Sequence, residues 1–388
     1  MMRYLIVILL SLICLPAAAI SVGAAKTDQY LPLLKGKRVS LVVNHTARVN
    51  DKHLLDVLRE HEVNVVSVMS PEHGFRGQAA AGEKVADGTD SKTGLPVHSL
   101  YGSTKKPTKA MLENVDVLVF DMQDVGTRFY TYLSTLHYVL EAAAEQNISV
   151  VVLDRPNPHI GIVDGPVLAP AFQSFVGMHP IPVMHGMTLG ELARMIKGES
   201  WINASQALRL HVIPVDGYSR STPYTLPIPP SPNLPNMLAI SLYPTLCFFE
   251  GTAVSVGRGT ATPFQLIGHD QVMLGDTPVT IAGNEAAPSP KLNGKTLQAQ
   301  RFTAPRSNRI DLALLIAAYQ RFNDTDVPFF TRPAFFDKLA GTSALREAIE
   351  AGATPSEIRQ QWQQPLAAFR ARRAPYLLYP KGQAHDEH

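Results

Sequence analysis

The sequence predicts an α/β fold: a Rossmann-like, doubly wound, mostly parallel sheet, followed by a smaller α+β domain. Three observations predict it. Apolar runs such as Val115-Asp116-Val117-Leu118-Val119-Phe120-Asp121 are near-continuous, as strands covered on both faces must be. These runs alternate with segments whose leucines recur at helical spacing, the grammar of βαβ units. Polar clusters recur where the strands end, which is the edge at which open α/β sheets hold ligands.

Taken in order, Arg38 to Asn44 reads as the first strand, Asp51 to His61 as a helix with leucines at 54, 55 and 58, and Val63 to Val68 as the second strand. Val115 to Asp121 is another strand, Tyr130 to Gln146 a helix, and Ile148 to Leu153 a strand ending in Asp154-Arg155-Pro156-Asn157-Pro158. Thr188 opens a helix with Glu191 three residues on, a capping-box pattern. Leu226 to Pro235 is too proline-dense for helix or central strand. It reads either as a linker or as a rigid wall presenting Ser231 and Asn233. Past residue 266 the polar clusters thin out. Residues 280–282 and 301–303 read as strands, and 311–322 and 355–370 as amphipathic helices. The expected division is 1–25 signal peptide, 26–265 Rossmann-like catalytic domain and 266–388 smaller α+β domain.

A chain of 388 residues can bury one large core or two smaller ones. Its formal net charge of +2 gives no bulk electrostatic reason to bind nucleic acid. Arg3, the apolar stretch Tyr4 to Leu15 and Pro16-Ala17-Ala18-Ala19 have the form of a secretory signal, with Val22-Gly23-Ala24 as a second cleavage position. Export across the inner membrane, to a periplasm, is the expectation, with no membrane association after cleavage. Removal of Cys14 would leave Cys247 alone, so neither a disulfide nor a cysteine zinc site is expected.

Five clusters carry candidate chemistry. The loop from Ser70 to Glu83 holds Glu72, His73, Arg76 and Glu83 between glycines, and Glu72 and Glu83 suit an acid and base, or acid and nucleophile, on a glycosidic bond. Asp121, Gln123, Asp124, Arg128 and Tyr130 crowd a strand-to-helix junction. An arginine is out of place at the positive end of a helix dipole, so substrate binding is expected there. Asp154, Arg155 and Asn157 lie on a loop locked by two prolines. His185 precedes a helix start, with Glu191 as its capping acid. Glu250 and Arg258 flank a Gly257-Arg258-Gly259 that has Thr262 in place of a third glycine, so a dinucleotide site is rejected. No Walker loop, His-Glu-x-x-His or Gly-x-Ser-x-Gly motif is present, and no metal or cofactor is expected.

Several ordered motifs together resemble one bacterial family. They are Ser70-Pro71-Glu72-His73-Gly74-Phe75-Arg76-Gly77, Thr93 to Gly102, Phe120 to Tyr132, Leu153 to Pro158, Ser174-Phe175-Val176-Gly177, His185 to Ala193 and Gly257-Arg258-Gly259-Thr260. Phe336 to Gly341 and Tyr376 to Tyr379 extend the likeness to the C-terminal part. The family is that of the NamZ-type exo-β-N-acetylmuramidases, glycoside hydrolase family 171. The resemblance implies a Rossmann-like domain and a smaller C-terminal domain with the active site between them. It implies release of N-acetylmuramic acid from non-reducing ends of peptidoglycan fragments such as the disaccharide with N-acetylglucosamine. Glu72 is then the acid/base, with Glu83, or else Asp121 or Asp124, as its partner. Val256 stands where the family pattern has a glutamate. Arg76, Arg128, Arg155 or Arg258 could pair with the lactyl carboxylate of the sugar. The rival reading is a cell-wall sugar binding protein built on the same cleft without turnover. An esterase using His73 or His185 is weaker, for want of a placed nucleophile or metal.

Overall fold

The computed structural model describes residues 19–71, 75 and 88–382. A seven-stranded sheet organises the first half. Its strands lie in the order 209–213, 149–153, 117–121, 39–43, 65–70, 96–99, 88–89, and all neighbours pair parallel except the last two. The runs read as strands from sequence form its centre. The period of two in side-chain direction explains why they must be apolar throughout. Leu118, Phe120, Val150 and Val152 face one core, shared with the helix Tyr132–Glu145 and the helix Leu189–Gly198. Val117, Val119, Val151 and Leu153 face the other, shared with the helices Thr27–Leu34 and Leu54–Glu60. Helices on both faces make the sheet doubly wound.

A smaller antiparallel sheet, in the order 266–269, 296–301, 277–280, follows. Four helices complete the C-terminal part: Leu312–Phe322, Pro333–Ala340, Ala344–Glu350 and Pro355–Arg373. The expected strands near 280 and 301 are displaced toward the N-terminus, to 277–280 and 296–301. The strand Arg209–Ile213 and the helix Met237–Leu246 were not foreseen. The first is an edge strand with polar residues interleaved. The second begins at Asn236, which caps the amide of Ala239 directly after the proline run, and it carries Pro244 within it. Thr188 and Glu191 form the expected capping box.

The expected signal segment, residues 1–25, is only partly outside the description. Residues 1–18 lie outside it, whereas 21–25 are built into the fold. Ser21 and Asp216 exchange backbone hydrogen bonds, and the Gly23 amide donates to the Asp154 carbonyl. A Cβ at Gly23 would stand 2.4 Å from the Ile213 carbonyl oxygen. Ala24 is fully buried, and its carbonyl accepts the Tyr30 hydroxyl. Among the described residues, no helix is long and apolar enough to cross a membrane.

The two halves are joined by Arg128. Its guanidinium is buried and donates to the carbonyls of Pro166 and Ile181 through Nη1, and of Leu339 and Ala340 through Nη2. Burial draws its pKa down to about 9, so it keeps its charge at neutral pH. Gly341, which ends the helix Pro333–Ala340 with φ +78°, lies so close that a Cβ would stand 2.6 Å from Arg128 Nη2. Arg128→Met would strand four buried carbonyls and is expected to cost about 3 kcal/mol. Urea denaturation measures this, and an unchanged midpoint would show that these carbonyls find other partners.

Candidate active site

The chain runs outward from strand 39–43 to strands 65–70 and 96–99, then returns to 117–121 and runs outward the other way. The switch point therefore lies between strands 39–43 and 117–121, where a ligand crevice is expected beyond the carboxyl ends. The polar loops meet there. Gln123 N donates to Thr46 Oγ1, and Asn44 Nδ2 donates to the Tyr132 hydroxyl. The proline run closes over this edge: Pro230 O accepts the Tyr130 hydroxyl at 2.9 Å, and Pro229 O lies 2.9 Å from His45 Nε2. The segment is thus a wall and not a linker, held by carbonyls that proline leaves free as acceptors.

Beside it opens a cleft of two lobes. A small one, about 80 Å³, is lined by Tyr130, Tyr132, Ser231, Asn233, Tyr243 and Arg258 among others. The large one, about 870 Å³, shares Phe129, Thr131, Tyr243 and Arg258 with it. Tyr101, Phe175 and Val176 come to the large lobe from the first half of the chain. Glu250, Val256, Lys291, Arg332, Phe335 and Leu339 come from the second. Val256 presents methyl groups where the resembled pattern has a carboxylate, so that position adds no charge to the wall. Aromatic faces beside polar groups suit the alternation of C–H patches and hydroxyls on a sugar.

The sequence-derived candidates divide by what they touch. Glu72, His73, Arg76 and Glu83 lie outside the described residues. Asn233, Tyr130, Glu250 and Arg258 line the cleft. Asn233 Nδ2 donates to Ala286 O, while its Oδ1 has no partner among the described residues. Glu250 pairs with Arg258 Nε at 3.2 Å, and the Arg258 guanidinium lies 4.8 Å over the Phe264 ring.

The others serve the scaffold. Asp121 and Arg155 form a buried two-point ion pair, 2.5 and 2.9 Å, and Arg155 also donates to the Arg48 carbonyl. Asp154 accepts from the amides of Arg155 and Gly190 and from the hydroxyls of Thr188 and Tyr379. It therefore ties a helix start to the C-terminal segment. Burial pushes its pKa up to about 6, against those hydrogen bonds. Gln123 Nε2 donates to the carbonyls of Asp124 and Pro156, and Asn157 Nδ2 to that of Met187. His185 is buried, accepts the Met187 amide through Nδ1 and is pushed down to about 3 by burial and by Arg373 and Arg128. It is neutral and fixed, which suits a structural imidazole and not a proton shuttle. Arg128, expected to bind substrate, instead holds four carbonyls below the cleft. The anomaly of an arginine near a helix start has a structural answer.

Asp124 differs from these. Its Oδ1 accepts the Gly126 amide at 2.6 Å, while Oδ2 is buried without a partner among the described residues. Gly126 takes φ +78°, and a Cβ there would meet Asn157 Oδ1 at 2.0 Å, so only glycine fits this turn. Burial pushes the Asp124 carboxyl from 3.8 up to about 7, and its charge acts on the Tyr130 hydroxyl in the cleft. Asp124 thus titrates near neutrality.

Sequence reading missed Lys291, Arg332, Tyr243 and Phe335. None stands in a cluster of polar residues, and only the fold brings them to one wall. Lys291 Nζ donates to the carbonyls of Phe249, Thr252 and Val254, and burial lowers its pKa to about 8.

Residues 39–238 match the family model described as exo-β-N-acetylmuramidase NamZ, N-terminal. Residues 241–379 match its C-terminal counterpart. The chain belongs to the NamZ exo-β-N-acetylmuramidase family. It is 39% identical over 378 residues to the peptidoglycan β-N-acetylmuramidase NamZ of Bacillus subtilis (strain 168), covering 90% of this chain and 89% of that one. Two crystal structures of DUF1343 family proteins from Bacteroides fragilis NCTC 9343 share the NamZ-family fold seen here. One superposes with a TM-score of 0.86 at 43% identity, over 94% of this chain and 99% of that chain. The other gives 0.79 at 32% identity, over 93% and 99%. The two family models divide the chain between residues 238 and 241, so each contributes a wall of the cleft.

Burying a carboxylate at 124 has a measurable cost. The Asp124 pKa is higher folded than unfolded, so its contribution to stability is fully present below pH 3.8 and is lost as pH rises to about 7. Asp124→Asn is expected to match the wild type near pH 3.5 and to exceed it above pH 7 by at most about 4 kcal/mol. Denaturant unfolding across this range tests it, and parallel stability curves for the two proteins would contradict it.

Proposed function

We propose that this protein is an exo-β-N-acetylmuramidase, a glycoside hydrolase that releases N-acetylmuramic acid from non-reducing ends of peptidoglycan fragments during cell-wall turnover. One observation carries the reading. Both halves of the chain match the family, and both contribute to a single cleft with aromatic and cationic walls. Glu72 of the Pro71-Glu72-His73-Gly74 motif gives its proton to the glycosidic oxygen as the bond to the anomeric carbon breaks. N-acetylglucosamine leaves with that proton. The oxocarbenium-like centre is stabilised by a second, ionised carboxylate or by the sugar's own acetamido oxygen, and water then adds to the anomeric carbon, giving its proton to the Glu72 carboxylate. Glu83 is the first choice for the second group. Of the other two, Asp121 has both oxygens engaged by Arg155, and Asp124 is buried with its pKa pushed up to about 7.

The direct test is incubation with N-acetylmuramyl-β-1,4-N-acetylglucosamine and mass-spectrometric detection of free monosaccharides. The wild type is expected to release N-acetylmuramic acid, and Glu72→Gln to lose at least about 10³-fold in kcat with binding retained. Saturable binding by the wild type without release would favour the sugar-binding reading. Turnover by Glu72→Gln at the wild-type rate would remove Glu72 from the chemistry.

We also propose export, with cleavage after Ala19 in preference to Ala24. The packing of Ser21 to Ala25 supports it, since cleavage after Ala24 would remove the Ser21–Asp216 bridge and the Gly23–Asp154 hydrogen bond. Mass spectrometry of the secreted form is expected to find Ile20 as the first residue. Ala25 as the first residue would contradict this.

A further inference from the structure

Among the described residues that line the large lobe, Arg258, Lys291 and Arg332 carry positive charge and Glu250 alone carries negative charge. These described lining residues carry an excess of two positive charges on a wall that also holds aromatic rings. Uncompensated cations in a concave site attract an anion. Their availability differs sharply. Lys291 has three N–H donors, and all three are spent on carbonyls. Arg258 is held by Glu250 through Nε and lies over Phe264. Arg332 is exposed, and its side chain has no hydrogen bond or ion pair among the described residues. Its guanidinium lies 4.5 Å over the Phe335 ring, a contact that uses its face and leaves its N–H edges available. Its backbone is anchored, since the amide donates to Gly251 O and the carbonyl accepts from Phe335 and Phe336. Arg332 and Arg258 also act together to lower the Lys291 pKa, after burial, which places the three charges in one field.

A guanidinium held over a ring in the cleft wall, with its N–H groups unengaged among the described residues, is suited to two-point binding of a planar carboxylate. Of the sequence candidates for that task, Arg128 and Arg155 are buried in the scaffold and Arg258 has its own acid, while Arg76 lies outside the described residues. We infer that Arg332 is the specificity-determining residue that grips the carboxylate of the substrate's lactyl ether, the group that distinguishes a muramic acid from a glucosamine. This rests on the glycosidase reading above. The carboxylate would be held by the C-terminal wall while the glycosidic bond faces the strand ends of the first domain, so both domains are needed to recognise one sugar.

The test compares two chromogenic glycosides, 4-nitrophenyl β-N-acetylmuramide and its lactyl methyl ester, with wild type, Arg332→Ala and Arg332→Lys. The wild type is expected to prefer the free acid. Arg332→Ala should raise KM for the acid at least about tenfold with kcat little changed, and leave the ester unaffected. Arg332→Lys should recover part of the loss, because it restores charge without the two-point geometry. A merely structural role would move both substrates together. An unchanged preference for the acid in Arg332→Ala, with the wild type active, would overturn the inference and leave the glycosidase reading intact. Failure of the wild type on the acid and on the disaccharide would overturn the glycosidase reading itself. A defect confined to peptide-bearing muropeptides would overturn the lactyl assignment and give Arg332 to a stem-peptide carboxylate.

Discussion

A guanidinium buried without a carboxylate holds this molecule together. Arg128 reaches four carbonyls, two beside the strands 164–167 and 182–184 and two at the end of the helix Pro333–Ala340. Phe129, Tyr130 and Thr131 follow it directly into the cleft, and Leu339, one of its acceptors, lines the opposite wall. The cleft is therefore set by one side chain that touches both walls from below. Desolvating a charge is costly, and what offsets the cost here is four fixed dipoles in place of water. Gly341 is part of the same device, since any side chain at that position would meet the guanidinium.

The same economy recurs along the sheet edge. Asp154 accepts four hydrogen bonds and Asp121 a two-point guanidinium, so both carboxylates are committed to holding loops in place. Carboxylates so bound serve to fix geometry. Asp124, with one oxygen unpartnered among the described residues, is the exception, and burial pushes its pKa up to about 7. Among these carboxylates the distinction is thus one of unsatisfied hydrogen-bonding capacity more than of residue type. The cationic wall obeys it too: Lys291 is saturated, Arg258 is paired, and Arg332 retains a free edge.

Continuous apolar runs gave the central strands because burial on both faces leaves no position for a polar side chain. The edge strand Arg209–Ile213 escaped because exposure on one side restores polar residues. The helix Met237–Leu246 escaped because proline on both sides of its start masks its period, although Asn236 caps it. Capping signals such as Thr188 with Glu191 were legible, being purely local.

By itself the sequence determined the class of fold, the order of its motifs and the family to which they belong. It also marked the strand-end clusters as the busy edge of the sheet. It did not determine which members of those clusters face substrate. Asp121, Arg128, Asp154 and Arg155 are as polar as any catalytic group, and they have partners tens to hundreds of residues away. Arg332 lies in no motif and gains meaning only because the second domain folds its wall against the first. Residue type reports the chemistry available. Whether that chemistry is already spent depends on contacts between distant segments, and only the tertiary structure decides it.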